Sequence, residues 1–191
     1  MTAQFSKYLS SHALSDSDID RISSLAIPRL LSRNDILLAE GSICRHKTFV
    51  VKGMLRIYGT HTDGGEHILQ FSPENTWTLD AESYDRQIPS RFNIAAVEQS
   101  EVLLWLKADF NQLLAEIPSL KSLSEQLISR SVHNGRQRLL TVLSASPEEK
   151  YNDFITEFPA LFNRLPLRMI AAYLGMSVKT LTRIRHAQLH R

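Results

Sequence analysis

The chain has 191 residues, 43% hydrophobic and 22% charged, with 7 Gly, 7 Pro and a net charge of +2. This balance excludes a mainly disordered or collagen-like chain and allows one large domain or two small ones. No apolar run approaches the ~20 residues of a membrane helix, and the single cysteine, Cys44, excludes an internal disulfide, an iron–sulfur site and a multi-cysteine zinc site.

The start, Met1-Thr2-Ala3-Gln4-Phe5-Ser6-Lys7, lacks the charged, apolar and small-residue regions of a signal peptide. No membrane partner and a cytoplasmic location are expected. Residues 1–26 read as helix: Ser15-Asp16-Ser17-Asp18 supplies N-cap chemistry ahead of Ile19, Ile22 and Leu25, and Pro28 ends the helix. From Arg29 to about Leu106 the texture becomes short strands and turns. Leu30-Leu31, Ile36 to Leu38, Thr48 to Val51, Leu55 to Tyr58, His67 to Phe71, Phe92 to Val97 and Glu101 to Trp105 read as strands. Thr62-Asp63-Gly64-Gly65 reads as a hairpin turn. Short strands at such close spacing predict a sandwich or roll, not parallel strands linked by helices.

Helical texture begins at Lys107, with Asp109 as a candidate cap for the Phe110 to Leu114 stretch. A long helix is predicted from Ser119 to about Leu143, with Leu120, Leu123, Leu127, Ile128, Val132, Leu139, Leu140, Val142 and Leu143 along it and Gly135 in a polar middle. At about 37 Å it is too long for a small domain to cover, so its seam is expected to meet a second copy of itself. The other reading is a cover helix for the β-domain. Ser146-Pro147-Glu148-Glu149 then opens a fresh helix through Tyr151, Phe154 and Ile155.

Charge is unevenly placed. After Glu157 there is no acid, yet Arg164, Arg168, Lys179, Arg183, Arg185 and Arg191 follow. The last 34 residues therefore carry +6, and the rest, holding all 20 acids against 16 bases, carries −4. An anionic partner for the tail is one reading, and a solvated basic face is the other.

Within that tail, residues 165–187 read as two short helices. The first turns Met169, Ile170 and Tyr173 inward, with Ala172 small where helices approach, and Gly175 supplies the positive φ that leaves the helix. Ser177 caps the second, whose Leu181 and Ile184 point inward. This is a helix-turn-helix pattern, against the plainer reading of a hairpin that only packs. Arg168 on the first helix, and Ser177, Val178, Lys179, Thr180, Arg183 and Arg185 on the second, are the candidate contacts to double-stranded DNA.

The order of parts resembles the Crp–Fnr family of bacterial transcription regulators, from about Ile19 to Arg191. Its carriers are Phe49 to Tyr58 with the Val51-Lys52-Gly53 strand end, the Asp63-Gly64-Gly65 hairpin, the long helix, and Ala172-Tyr173-Leu174-Gly175-Met176-Ser177. The resemblance implies an α+β fold: a double-stranded β-roll of the cyclic-nucleotide-binding type over residues 1–115, a dimerisation helix over 116–143 and a helix-turn-helix over 144–191. It also implies a homodimer with recognition helices in successive major grooves. The β-hairpin wing usual in the family is expected to be absent, since the chain stops soon after the recognition helix.

Members that bind cyclic nucleotides carry a Gly-Glu-Leu turn and, about ten residues later, an Arg that takes the phosphate. In a gapless alignment Leu79 replaces that Gly, Asp80 the Glu and Ser90 the Arg, while Arg91 lies one place off and so on the opposite face of a strand. A small-molecule effector pocket is expected around Asp80, Glu82, Ser83, Ser90 and Arg91. Its acidic lining disfavours an anionic nucleotide, so either no small ligand or a neutral or cationic one is expected, with DNA binding independent of cyclic nucleotide and no cofactor.

No metal site is expected. Cys44-x-His46 is only a two-ligand fragment, His61 and His67 flank a hairpin, and His12, His133, His186 and His190 are scattered. No phosphate loop, nucleophile elbow or His-Glu-x-x-His is present, so no enzyme is expected. The reading from a different class is a ligand-binding β-roll that acts through protein contacts and carries a degenerate DNA-binding tail.

Overall fold

The computed structural model describes residues 3–61 and 64–189; Met1, Thr2, Thr62, Asp63, His190 and Arg191 lie outside it. The N-terminal helical stretch is two helices, α1 (Ala3–Ser10) and α2 (Asp16–Ser24). They are separated by a turn in which Ala13 takes φ 61°. Ser15 caps α2 through a reciprocal capping box with Asp18, which uses two backbone donors that a helix start otherwise leaves empty. The second helix ends at Ser24, ahead of Pro28, which instead stands inside a strand.

Eight strands follow: β1 (Ile27–Leu31), β2 (Ile36–Leu38), β3 (His46–Lys52), β4 (Leu55–Thr60), β5 (Glu66–Ser72), β6 (Thr76–Thr78), β7 (Asn93–Ala96) and β8 (Ser100–Leu106). A short helix, α3 (Ala81–Arg86), lies between β6 and β7. The strands form two four-stranded sheets in the orders β1-β8-β3-β6 and β2-β7-β4-β5. Strands distant in sequence pair antiparallel, β1 with β8 and β2 with β7. The sheets therefore build a roll, as the spacing predicts.

Period-two alternation explains why β3 and β8 read as unbroken apolar runs. Phe49, Val51, Leu103 and Trp105 face one way, into a core shared with Phe5, Leu9, Ile19, Ile22, Phe110 and Leu113. Val50, Val102 and Leu104 face the other way, into the roll interior with Leu31, Leu38, Leu55, Ile57 and Ile94. Trp105 donates its indole N–H to the Ile22 carbonyl at 2.8 Å, pinning α2 to the sheet. Gly53, φ 86°, ends β3 where a Cβ would sit on Ser100 Oγ and 2.5 Å from the Gln99 carbonyl oxygen. Only glycine fits that corner.

Helix α4 (Lys107–Glu116) starts three residues ahead of the Phe110 start that an Asp109 cap predicts. Its N-cap is Leu106 with no side-chain bond, and Asp109 lies inside the first turn, where its charge suits the helix dipole. Helix α5 (Pro118–Ser144) runs 27 residues; Gly135 is simply absorbed within it. Contacts divide the chain into two units: residues up to Gly59 together with Leu69–Leu127, and Thr60–Ile68 together with residues from Ile128 on.

The second unit holds α6 (Pro147–Glu157), α7 (Pro159–Phe162), α8 (Leu167–Leu174) and α9 (Val178–Leu189). Tyr151, Phe154, Leu161, Leu165, Met169, Ile170, Ala171, Leu174, Leu181 and Ile184 are buried there. Arg138, late on α5, lies flat over the Tyr173 ring at 3.9 Å and donates to the carbonyls of Tyr173 (2.9 Å) and Ile68 (2.8 Å). A planar guanidinium makes all three contacts at once, which an ammonium cannot.

Candidate functional site

Two regions gather the residues that sequence reasoning singled out. The first is the pair α8–α9. Helix α8 ends at Gly175, φ 67° and ψ 36°, whose N–H reaches the Ala171 carbonyl. Met176 N–H donates to the same carbonyl at 3.1 Å. This left-handed stop needs a residue free of a Cβ penalty. Ser177 then caps α9, its Oγ accepting from the Thr180 N–H at 3.1 Å and pairing with the Thr180 hydroxyl at 2.9 Å.

Leu181 and Ile184 are buried, as the pattern requires. On α8 the alanine in the core is Ala171; Ala172 and Tyr173 are half-buried. A helix turns 100° per residue, so the buried face of α8 runs through Met169, Ile170, Ala171 and Leu174, one step from the predicted one.

Arg168, Ser177, Val178, Lys179 and Arg183 are exposed, and Thr180 is half-buried. Arg183 Nη2 meets Glu148 Oε1 at 3.3 Å with both side chains more than half exposed. Such a pair contributes about 0–1 kcal/mol, so it is broken at little cost. Arg185 is turned away from that face: half-buried, it lies 5.3 Å from the Phe162 ring centre. The first turn of α9 carries no acid, so its N-terminal dipole faces outward uncompensated.

The second region is the turn around α3. Asp80 is buried and caps that helix, Oδ1 accepting from the N–H groups of Glu82 (3.1 Å) and Ser83 (3.3 Å). Its other oxygen accepts from the Ser90 hydroxyl at 2.6 Å. Ser83 accepts from the Cys44 N–H (2.9 Å) and donates to the Ile88 carbonyl (2.6 Å). Lys107 Nζ donates to the Tyr84 and Asp85 carbonyls at 2.9 and 2.6 Å, near the end of α3. Glu82 is exposed and pairs with Arg86, and Arg91 is exposed.

Asp80, Ser83 and Ser90 thus bond one another's backbone and side chains, holding the turn closed. A cavity of about 230 Å³ lies beside them, and none of the five predicted pocket residues lines it. It is bounded instead by the inner face of the roll at Leu38, Ile94 and Leu104, and by Arg29, Arg45 and His46 at its edge. An acidic lining therefore does not describe it.

Sequence reasoning passed over Arg29 and Arg45 and weighed His46 only as half of a metal pair. They meet because β1 and β3 both pair with β8, a neighbourhood no local pattern encodes. Cys44 is also on the cavity wall. Burial pushes its thiol up, away from the thiolate that reactivity needs. Burial likewise pushes the Tyr84 phenol up to about 12.

Among the described residues no group of three or more His, Cys, Asp and Glu side chains is placed to hold a metal ion. No helix of the described residues is long and apolar enough to cross a membrane.

Residues 28–117 match the family described as cyclic nucleotide-binding domain. No curated protein sequence matches the chain. Solved structures do match it. The c-di-GMP responsive global regulator CLP of Xanthomonas campestris aligns at TM-score 0.76 and 11% identity, covering 92% of both chains. FixK2 of Bradyrhizobium japonicum aligns at TM-score 0.73 and 18% identity, over 86% of this chain and 84% of that one. A protein of the Crp/Fnr family from Eubacterium rectale aligns at TM-score 0.72 and 17% identity, over 94% and 86%. At these identities the likeness is one of fold.

Proposed function

Because the chain carries a cyclic nucleotide-binding domain over residues 28–117 and has the fold of the Crp/Fnr family transcription regulators, we propose that it is a homodimeric, sequence-specific DNA-binding regulator that acts without cyclic nucleotide. The observation that carries this reading is the α8–Gly175–α9 turn, with a capped second helix presenting Val178, Lys179 and Arg183 outward. Short apolar and cationic side chains at a helix N-terminus suit the major groove: the Val178 methyls meet a thymine methyl, and a guanidinium bonds guanine in a bidentate manner. Arg168 and Lys179 supply phosphate contacts.

Independence from cyclic nucleotide rests on the closed turn. At the alignment position where nucleotide-binding members carry an arginine stands Ser90, whose hydroxyl is committed to Asp80 and to the Phe92 carbonyl. Without a guanidinium there, a cyclic phosphodiester loses its main charge-assisted contact.

Selection on random duplexes is expected to enrich a two-fold symmetric motif with half-sites ~34 Å apart. Arg183→Ala should weaken binding to that motif by about 1–3 kcal/mol and relax the preference at one base position. Lys179→Ala should weaken binding to all sequences alike and flatten the salt dependence. A selection that enriches nothing, with no DNA affinity at low salt, overturns the reading.

A further inference from the structure

One side chain of α5 makes three contacts at a single point. Half-buried, Arg138 lies over the Tyr173 ring at 3.9 Å and donates to the Tyr173 and Ile68 carbonyls at 2.9 and 2.8 Å. Tyr173 is the last residue but one of α8, where backbone carbonyls lack a partner within the helix. A guanidinium there satisfies one of them and meets the negative end of the helix dipole. The ring it covers is itself fixed by neighbours on α6 and just beyond it, with ring centres 5.5 Å from Phe154 and 6.2 Å from Phe158. The carbonyl of buried Ile68, on β5, anchors the guanidinium at its other prong.

The place of these contacts in the chain gives them a consequence. Two residues beyond Tyr173 stands Gly175, whose left-handed turn sets the direction in which the chain leaves α8, and Ser177 caps α9 two residues later. In the other direction Arg138 immediately precedes Leu139, which is exposed on α5. A short run of rigid parts thus leads from the exposed side of α5, through a planar fork, to the end of α8 and the first turn of α9. Leu174, Leu181 and Ile184 are buried and hold the two helices together, so whatever fixes the end of α8 also fixes α9.

We infer that Arg138 is a positioning residue for the recognition helix: it fixes the angle of α9 to α5, and through that angle the half-site spacing a dimer accepts. The inference rests on the reading of the chain as a dimeric DNA-binding regulator. The Arg138 guanidinium is committed to the chain's own carbonyls, so no phosphate contact is assigned to it. Lysine does not replace it, because an ammonium is a point charge that cannot bond two carbonyls and lie flat on a ring at once. One base pair added between half-sites moves them apart by ~3.4 Å and turns them by about 34–36° around the duplex. A loosened α9 therefore shows itself as tolerance of wrong spacings.

The test compares the full wild-type chain with Arg138→Lys in two arms. Without DNA, hydrogen exchange of the Gly175 and Met176 amides, both bonded to the Ala171 carbonyl, is expected to quicken by about tenfold, while α6 keeps its wild-type rates. With DNA, the duplex carrying the selected motif is set against copies with one base pair added or removed between the half-sites. The wild type should prefer the first by about tenfold and Arg138→Lys by only about twofold. Non-specific affinity and its salt dependence should stay the same, because no phosphate contact is lost. Tyr173→Leu, which removes the ring and leaves both carbonyls, should shift both readouts the same way, and it decides the matter where Arg138→Lys does not fold. Exchange in α6 that rises as much as in α8 marks a residue that only stabilises the unit, and overturns the inference. So does a spacing preference in a folded variant equal to that of the wild type. Unchanged exchange in a chain that selects an operator overturns the inference alone, whereas faster exchange in a chain that selects none overturns the regulator reading and the inference with it.

Discussion

His46 lines the same cavity wall as Arg29 and Arg45. Burial and the nearby Arg29 and Arg45 guanidiniums, in that order, hold its imidazole below the ordinary value of 6.5. The consequence for stability has a definite sign. Below 6.5 the unfolded chain protonates this histidine first. As pH falls from 6.5 to the lower native value, the unfolded state binds more protons and stability declines; below that value this contribution levels off. Urea midpoints of the wild type and His46→Gln, followed downward from neutral pH, should therefore converge as the wild type loses the larger share. A His46→Gln curve that falls as steeply as the wild type contradicts this account. Single residues also show where sequence reading stops. Ser177 and Gly175 were legible because a cap and a positive φ have residue-type signatures. Arg185 was not, because nothing local says that Phe162 will receive its guanidinium.

At the scale of elements, legibility followed how local each cause is. Strand positions in the roll and the starts of α6 and α9 are written in alternation and capping chemistry. The break between α1 and α2 was not seen, since Ala13 adopts its φ of 61° without the glycine that advertises such a turn. At the α3 turn the acids are legible, but not that Asp80 and Ser90, ten residues apart, bond each other. That bond exists only once β6 and β7 are in place. The cap of α6 gives a clean quantity. Ser146 Oγ accepts from the Glu149 N–H at 3.3 Å, and Glu149 Oε2 accepts from the Ser146 N–H at 2.7 Å. Ser146→Ala removes one half of this box and should cost about 1 kcal/mol. Ser146→Asp should restore most of it, since a carboxylate accepts from the same N–H and also suits the dipole. Equal chemical-denaturation midpoints for the alanine and aspartate variants would show that the cap carries no weight.

For the whole molecule the decisive feature is the later half of α5. Leu120 and Leu123 are buried in the first unit, but from Ile128 onward the apolar residues lose their cover. Ile128 is 60% exposed, Val132 50%, Leu139 58%, Val142 45% and Leu143 76%. Together with Gly135, the positions 128, 132, 135, 139 and 142 step by alternating four and three residues. That is the spacing a two-stranded coiled-coil seam uses, which is what the proposed dimer requires. In the proposed dimer a second copy of α5 covers the stripe on both chains. Burying a leucine or isoleucine contributes about 1.5–3 kcal/mol, and in a symmetric pair each substitution counts twice. Leu139→Asp should therefore weaken self-association by at least ~3 kcal/mol, more than a hundredfold. Sedimentation velocity should show a dimer for the wild type and a monomer for Leu139→Asp at equal concentration. Circular dichroism should stay unchanged in the roll and helices, because the side chain is exposed within its own chain. A dimeric regulator gains DNA affinity by engaging two half-sites at once, so the same variant should lose operator affinity while keeping Lys179 and Arg183 intact. A wild-type chain that sediments as a monomer at about a hundred micromolar sinks the dimer, and with it the two-fold symmetry expected of the operator.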